Sequence, residues 1–178
     1  MVWARNMGVS FGGPSLILKN SIINSGCILP GDTSIGVRTA QSNNSIINLQ
    51  NIQINVRSDF STSLFGLQAG FPGANMTADH VNIQLNASET NVQAVALLVG
   101  NSTTSLTVND SFILSNSPDG AAYIVGGAAV NTDSIHINRR VLNMNAPTAA
   151  IKTLLSGFNV SIDGLSNCFI NGVPINCV

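Results

Sequence analysis

The chain has 178 residues, of which 44% are apolar and 8% charged, and its net charge is −1. This near-neutral balance excludes a nucleic-acid-binding protein, which needs a basic face, and the apolar content excludes a disordered tail. The 23 Asn and 20 Ser residues are of the types that favour turns, so the composition predicts an all-β chain.

Six similar segments recur along the chain at a spacing of roughly 30 residues, and the last interval is the shortest. Apolar and polar residues alternate within each segment, which is typical of a β-strand, and a break at Asn, Asp or His predicts a turn between two strands. A second series lies between these segments and has small residues at its centre: Gly8, Gly36, Gly66 and Ala96. Each repeat is therefore predicted to hold three short strands. The six segments are 16–26, 47–57, 76–87, 106–117, 135–146 and 160–172, and the second series is 7–13, 35–41, 65–71, 95–101, 122–128 and 151–157.

An Asn residue recurs where the second strand of the repeat closes, usually after an apolar residue. Asn tolerates the left-handed backbone conformation, and its side-chain amide can bond to the same amide one repeat above and below. The sequence therefore predicts a stacked Asn ladder. Its members are Asn24, Asn55, Asn86, Asn116, Asn145 and Asn171.

A repeat of three short strands cannot bury its apolar face alone, but it can do so by stacking on its neighbours. In repeat length, strand pattern and Asn column, the sequence resembles the right-handed parallel β-helix family of pectin-lyase-like solenoids. The resemblance implies an all-β right-handed parallel β-helix of about six coils, each of roughly 30 residues. One domain would span 1–178, with 1–14 as a partial first coil and 159–178 as the C-terminal coil and cap. A β-sandwich is the alternative fold, although it does not predict a steady repeat.

Several families of this fold cleave acidic polysaccharides, so the resemblance also raises an enzymatic function. Of the polygalacturonase-like motifs, Asn131-Thr132-Asp133 is present, but Asp-Asp, Gly-His-Gly and Arg-Ile-Lys are not. Glycoside hydrolysis needs a pair of carboxylates, and the eight acidic residues are scattered along the chain. The sequence therefore predicts no catalytic, cofactor-binding or metal site and no cofactor. A polysaccharide lyase or glycoside hydrolase of the pectin-lyase-like group remains the alternative function.

Stacking of the repeats predicts one polar cluster on the outside of the solenoid, made of Asp79, His80, Asp110 and Arg139. This cluster is interpreted either as an acid/base or cation site or as a surface salt bridge, which contributes about 0–1 kcal/mol. The same alignment predicts an outward column of Asp79, Asn109, Asn138 and Asp163, and it assigns Phe60, Phe65, Phe71, Phe112 and Phe169 to the core.

Two cysteines, Cys168 and Cys177, flank the segment Gly172-Val173-Pro174. Their close spacing can bring two strand-borne cysteines within disulfide range, so we predict a disulfide-closed hairpin that blunts the end of the solenoid. The alternative is a pair of buried free thiols.

The scattered acids and neutral surface favour a non-enzymatic extracellular β-solenoid that is a structural, adhesive or filament-forming surface protein. We expect it to be secreted or at the cell surface, although residues 1–178 contain no signal peptide and no membrane span. Low charge favours self-association, and residues 1–6 are too few to complete a first coil. An open N-terminal edge would then favour head-to-tail stacking or a longer precursor. A glycan or surface partner is also expected, and nucleic acid is not.

Overall fold

A computed structural model shows an all-β chain. The residues that it describes contain strands and turns, and no helix occurs within them. The described ranges are 2–5, 7–27, 33–39, 44–58, 63–88, 93–100, 103–116, 124–125, 128–131, 134–138, 152–153, 160–162 and 167–177.

The described strands form two sheets, here called the long sheet and the short sheet. The long sheet contains β1 (Val2–Arg5), β3 (Ser15–Cys27), β5 (Ile46–Ser58), β7 (Asn75–Ala87), β9 (Ser105–Asn109), β10 (Phe112–Asn116), β12 (Ala128–Asn131), β13 (Ser134–Asn138), β15 (Val160–Ile162), β16 (Asn167–Ile170) and β17 (Val173–Ile175). The short sheet contains β2 (Met7–Phe11), β4 (Thr33–Thr39), β6 (Ser63–Ala69), β8 (Gln93–Val99), β11 (Ile124–Val125) and β14 (Lys152–Thr153).

The chain winds between the two sheets as a β-solenoid of about three coils. In each coil a long strand of the long sheet precedes a shorter strand of the short sheet: β3 with β4, β5 with β6, and β7 with β8. Each of these strands pairs in parallel with its counterpart in the next coil. Parallel pairing continues from β7 through β9 and β10 to β12, β13, β15 and β16.

One residue with a left-handed backbone conformation lies at the same place in successive coils of the long sheet. It is Asn20 in β3, Asn51 in β5, His80 in β7 and Asp110 between β9 and β10, with φ of 50°, 53°, 53° and 42°. Asn, Asp and His are the non-glycine residues that adopt this conformation most readily. The break predicted at Asn, Asp or His is present, but β3, β5 and β7 each continue through it as one strand.

Apolar residues that alternate along the long-sheet strands fill the space between the two sheets. In β5, the side chains of Ile47, Leu49, Ile52, Ile54 and Val56 are at most 2% exposed. The residues between them are mostly half-buried or exposed. This period of two places one face of the strand in the core and the other outside.

The small residues at the centre of the short-sheet strands allow the two sheets to approach closely. A Cβ atom on Gly66 would lie 2.6 Å from Cγ2 of Ile83 in the long sheet, and one on Gly36 would overlap Cγ2 of Ile54. The predicted series of small residues therefore marks a packing column, in which Gly36 and Gly66 are needed because another chain segment lies against their backbone.

The pairing of β5 with β7 keeps one alignment along the whole strand, in which Ile54 lies opposite Ile83. The predicted ladder aligned Asn55 with Asn86 instead. In the structure Asn86 lies opposite Arg57, two positions further along β5 than predicted. The ladder is therefore not continuous at this step.

The left-handed residues follow the observed alignment, whereas the apolar pattern after the break, which includes Ile52 and Ile54, fits both alignments. A shift of two positions leaves the same side chains of that part facing the core. Before the break, however, it would set the buried Leu49 opposite the exposed His80, whereas the observed register sets Leu49 opposite the buried Ala78. The residues on both sides of Asn51 pair with those on both sides of His80. The two left-handed positions therefore coincide in the observed register.

The N-terminal end differs from the prediction in one respect. Val2–Arg5 form strand β1, which pairs in parallel with residues 23–26 of β3. Residues 1–6 were expected to be too few to supply strands to the first coil, whereas four of them supply one. Ser15 to Lys19 of β3 lie beyond this pairing.

At the other end of the described stack, β16 and β17 form an antiparallel hairpin. Its turn contains Asn171 and Gly172, both with positive φ, which is the sequence favoured in tight two-residue hairpin turns. The Sγ atoms of Cys168 and Cys177 are 2.04 Å apart, at disulfide-bonding distance. The predicted cysteine pairing across this hairpin is therefore present.

Candidate functional site

Three of the four residues of the predicted polar cluster come together on the outside of the solenoid. The metal-binding atoms of Asp79, His80 and Asp110 all lie within 4.8 Å of one another. His80 Nδ1 is 3.2 Å from Asp79 Oδ1, and the two side chains are 59% and 35% exposed. Arg139, the fourth predicted member, lies outside the described residues. The cluster therefore combines an imidazole and two carboxylates in a solvent-accessible position.

The backbone explains why these three side chains meet. Asp79 of β7 pairs with Asn109 of β9, so the residues that follow them, His80 and Asp110, occupy the left-handed position in adjacent coils. The two preceding coils hold Asn20 and Asn51 at this position, and Asn51 Nδ2 donates a hydrogen bond to Asn20 Oδ1 at 3.1 Å. This column thus brings side chains of neighbouring coils within bonding distance.

The rest of the predicted outward column is only partly observed. Asn109 pairs with Asn131 in the following coil, and Asn138 pairs with Asn116 instead. The prediction assumed that the same number of residues separates each strand from its partner in the next coil. In the structure, fewer residues separate β9 from its partner β12 than separate β7 from its partner β9. Asp163, the last predicted member, lies outside the described residues.

The residues of the predicted Asn ladder form two separate amide pairs. Asn55 Nδ2 donates to Asn24 Oδ1 at 2.8 Å, and Asn116 Nδ2 donates to Asn86 Oδ1 at 2.8 Å. Asn55 faces Gln84 in the next coil. Of the remaining two members, Asn171 lies in the hairpin turn and Asn145 lies outside the described residues.

A shallow cleft of about 280 Å³ opens beside the second amide pair. It is lined by Arg57, Asn86, Ala87, Ser88 and Asn116. The sequence prediction missed this cleft because it placed Asn86 beside Asn55. If the strand breaks at Asn51 and His80 had been aligned with each other, the prediction would have placed Arg57 beside Asn86.

A row of rings follows the outside of the long sheet on its C-terminal coils. Phe112 and His136 have ring centroids 5.1 Å apart, and His136 and Phe169 have theirs 4.5 Å apart with an interplanar angle of 6°. The assignment of Phe112 and Phe169 to the core was wrong, because both are half-buried and their neighbours Ile113 and Cys168 are the buried residues. The His136 and Phe169 rings stack face to face and the Phe112 ring is tilted against His136, so this row stabilises the stacking of adjacent strands. Of the other three phenylalanines assigned to the core, Phe65 and Phe71 are also half-buried and Phe60 lies outside the described residues.

Comparison with known proteins finds no matching family model, no similar curated protein and no similar solved structure. Among the described residues, no helix is long and apolar enough to cross a membrane.

Proposed function

We propose that the chain is a non-enzymatic extracellular β-solenoid that acts as a structural, adhesive or filament-forming surface protein. In this proposal it is a right-handed parallel β-helix of about six coils. It is secreted or held at the cell surface, where an oxidising environment maintains the cysteine pair Cys168–Cys177. Its partners are further copies of itself, a glycan or another surface.

The observation that carries this proposal is the repetition of uncharged amides along the outward face of the long sheet, where the half-buried Asn55, Gln84 and Asn116 lie. Asn55 bonds to Asn24, and Asn116 bonds to Asn86, in each case across adjacent coils. Gln53 and Gln84 add side-chain amide bonds within their own strands. Parallel strands repeat at about 4.8 Å, so Asn55 and Gln84, which are paired in adjacent coils, present hydrogen-bonding groups at a regular spacing to another surface.

The charge of the chain supports self-association. A net charge of −1 over 178 residues gives little repulsion between copies, and proteins near zero net charge associate readily. Sedimentation velocity and electron microscopy of the chain over a range of concentrations test this directly. Assemblies that grow with concentration support the proposal, and a chain that stays monomeric and binds no glycan or surface contradicts it.

A matched pair of variants would locate the associating surface. Gln84→Lys adds a charge to the outward amide row, whereas Gln84→Thr removes the amide without adding charge. We expect the lysine variant to dissociate the assemblies much more than the threonine variant, because buried unpaired charge is strongly unfavourable. Equal effects of the two variants would place the contact elsewhere.

The enzymatic alternative is supported by one observation, the proximity of the Asp79 and Asp110 carboxylates. Retaining glycosidases hold two carboxyl groups about 5–5.5 Å apart on either side of the bond that they cleave. The described cleft, however, is lined by other residues and contains no carboxylate. Release of reducing or unsaturated sugar ends from acidic and neutral polysaccharides, abolished by Asp79→Asn, would establish this function in place of the one proposed.

A further inference from the structure

We propose that Asp79, His80 and Asp110 bind a divalent transition-metal ion, for which Zn²⁺ is the probe. This inference is independent of the structural or adhesive function. It concerns a site on the outside of two adjacent coils, and it does not require the chain to assemble.

The spacing of the donor atoms fits such an ion. Zinc lies about 2.0–2.1 Å from imidazole nitrogen and about 2.0–2.2 Å from carboxylate oxygen, so tetrahedral ligand atoms are about 3.4 Å apart. His80 Nδ1 and Asp79 Oδ1 are already 3.2 Å apart. The Asp110 carboxylate, within 4.8 Å of both, is exposed, so a change of side-chain rotamer can bring it to the same distance.

The chemistry of the donors selects the class of ion. An imidazole nitrogen suits Zn²⁺, Cu²⁺ and Ni²⁺, whereas Ca²⁺ and Mg²⁺ prefer sites made of oxygen alone. Two carboxylates supply charge that balances the ion. Three protein ligands leave one position of a tetrahedral ion for water.

The fold fixes the backbone positions of all three ligand residues. His80 and Asp110 lie in one column of left-handed residues on adjacent coils, and Asp79 precedes His80 in β7. In the earlier coils of this column, Asn20 and Asn51 bond side chain to side chain at 3.1 Å. The column therefore aims the side chains of successive coils at each other. Because the backbone is already fixed on paired strands, only the side-chain rotamers lose freedom when an ion binds, which favours affinity.

Isothermal titration of the untagged chain with ZnCl₂ tests the proposal, with the absorption spectrum of bound Co²⁺ as a second readout. We expect one ion per chain, and a visible Co²⁺ spectrum characteristic of low coordination number. The variant His80→Asn is well matched, because Asn occupies the same backbone position as Asn20 and Asn51 and so preserves the fold. His80→Asn and Asp110→Asn should each weaken binding by at least about tenfold, a loss of about 1.4 kcal/mol of binding free energy.

The control is His136→Asn, which removes the other histidine of the chain and should leave zinc binding unchanged. Circular dichroism of each variant verifies that it is folded. The proposal is overturned if the native chain shows no saturable binding at about 1 mM zinc, if folded His80→Asn binds as tightly as the native chain, or if His136→Asn abolishes binding.

Discussion

The replacement Gly66→Ala tests the close approach of the two sheets. The added Cβ would lie 2.6 Å from both the carbonyl oxygen of Ala96 and Cγ2 of Ile83. Each of these atoms would have to retreat by about 0.8 Å to reach the ordinary contact distance of 3.4 Å. One of them belongs to the backbone of β8, so the adjustment separates β6 from β8 as well as the long sheet from the short sheet.

Overpacking of this kind costs about 1–3 kcal/mol. Replacing glycine also restricts the unfolded chain, and this effect offsets about 0.4–1 kcal/mol of the overpacking cost. The net loss of unfolding free energy should be about 1–2 kcal/mol, measured as a lower urea midpoint with an unchanged slope.

Gly100→Ala is the matched control for this replacement. Its Cβ would be 3.4 Å from the nearest atom, the Cα of Gly70, which is ordinary contact. Gly100→Ala should therefore leave the midpoint unchanged or raise it slightly, because the restriction of the unfolded chain is the same and no clash opposes it. If Gly66→Ala is as stable as the native chain, the two sheets do not pack as described.

Three further predictions concern single side chains. Ser111→Ala should lower the free energy of unfolding by about 1–2 kcal/mol, because the Ser111 hydroxyl bonds to backbone groups of its own coil and of the preceding coil. Ser115→Ala should be neutral or stabilising, because the Ser115 hydroxyl is buried without a partner. Urea denaturation compares the two variants, and the reverse order of stability would contradict this prediction. Asn55→Ala should cost about 1–3 kcal/mol because it leaves the buried Asn24 amide without its partner, and an unchanged urea midpoint would show that the amide pair does not form. Cys168→Ser should destabilise the C-terminal hairpin by roughly 2–3 kcal/mol, and thiol titration of the native chain, denatured without reductant, should find one reactive cysteine; three reactive cysteines would refute the disulfide.

The coil length and the faces of the strands could be predicted from the sequence. Both follow from alternation, as between Ile52 and Ile54, and from the recurrence of small residues such as Gly36 and Gly66. The disulfide pairing was also predictable, because two cysteines closely spaced around Gly172 fit a hairpin. These features depend on local sequence and on one average repeat length.

The register between coils was predicted only in part. Asn24 and Asn55 were placed together correctly, but Asn86 was displaced by two positions, which a pattern of period two does not detect. Phe112 was assigned to the core because the left-handed residue Asp110 changes the phase of the alternation that follows it. The sequence shows that a break occurs there, but it does not show how many residues the break contains.

The candidate cluster was predictable where coils have similar length. Asp79, His80 and Asp110 lie within the regular part of the solenoid, where β9 pairs with β7 about one average repeat further along the chain. Asn138 lies beyond β12, which pairs with β9 after a shorter stretch of chain, so extrapolation of the repeat placed it in the wrong column. Predictions from a repeat thus fail at the coil whose loop length changes.

Nuclear Overhauser contacts between β5 and β7 test most directly the central claim, that the coils stack in the register that aligns their left-handed residues. The polar cluster, the cleft and the two amide pairs all depend on this register. We expect backbone contacts between Ile54 and Ile83, because Asn51 and His80 occupy the same place in adjacent coils. Contacts between Ile54 and Leu85 instead, which the alignment of Asn55 with Asn86 would produce, would contradict it.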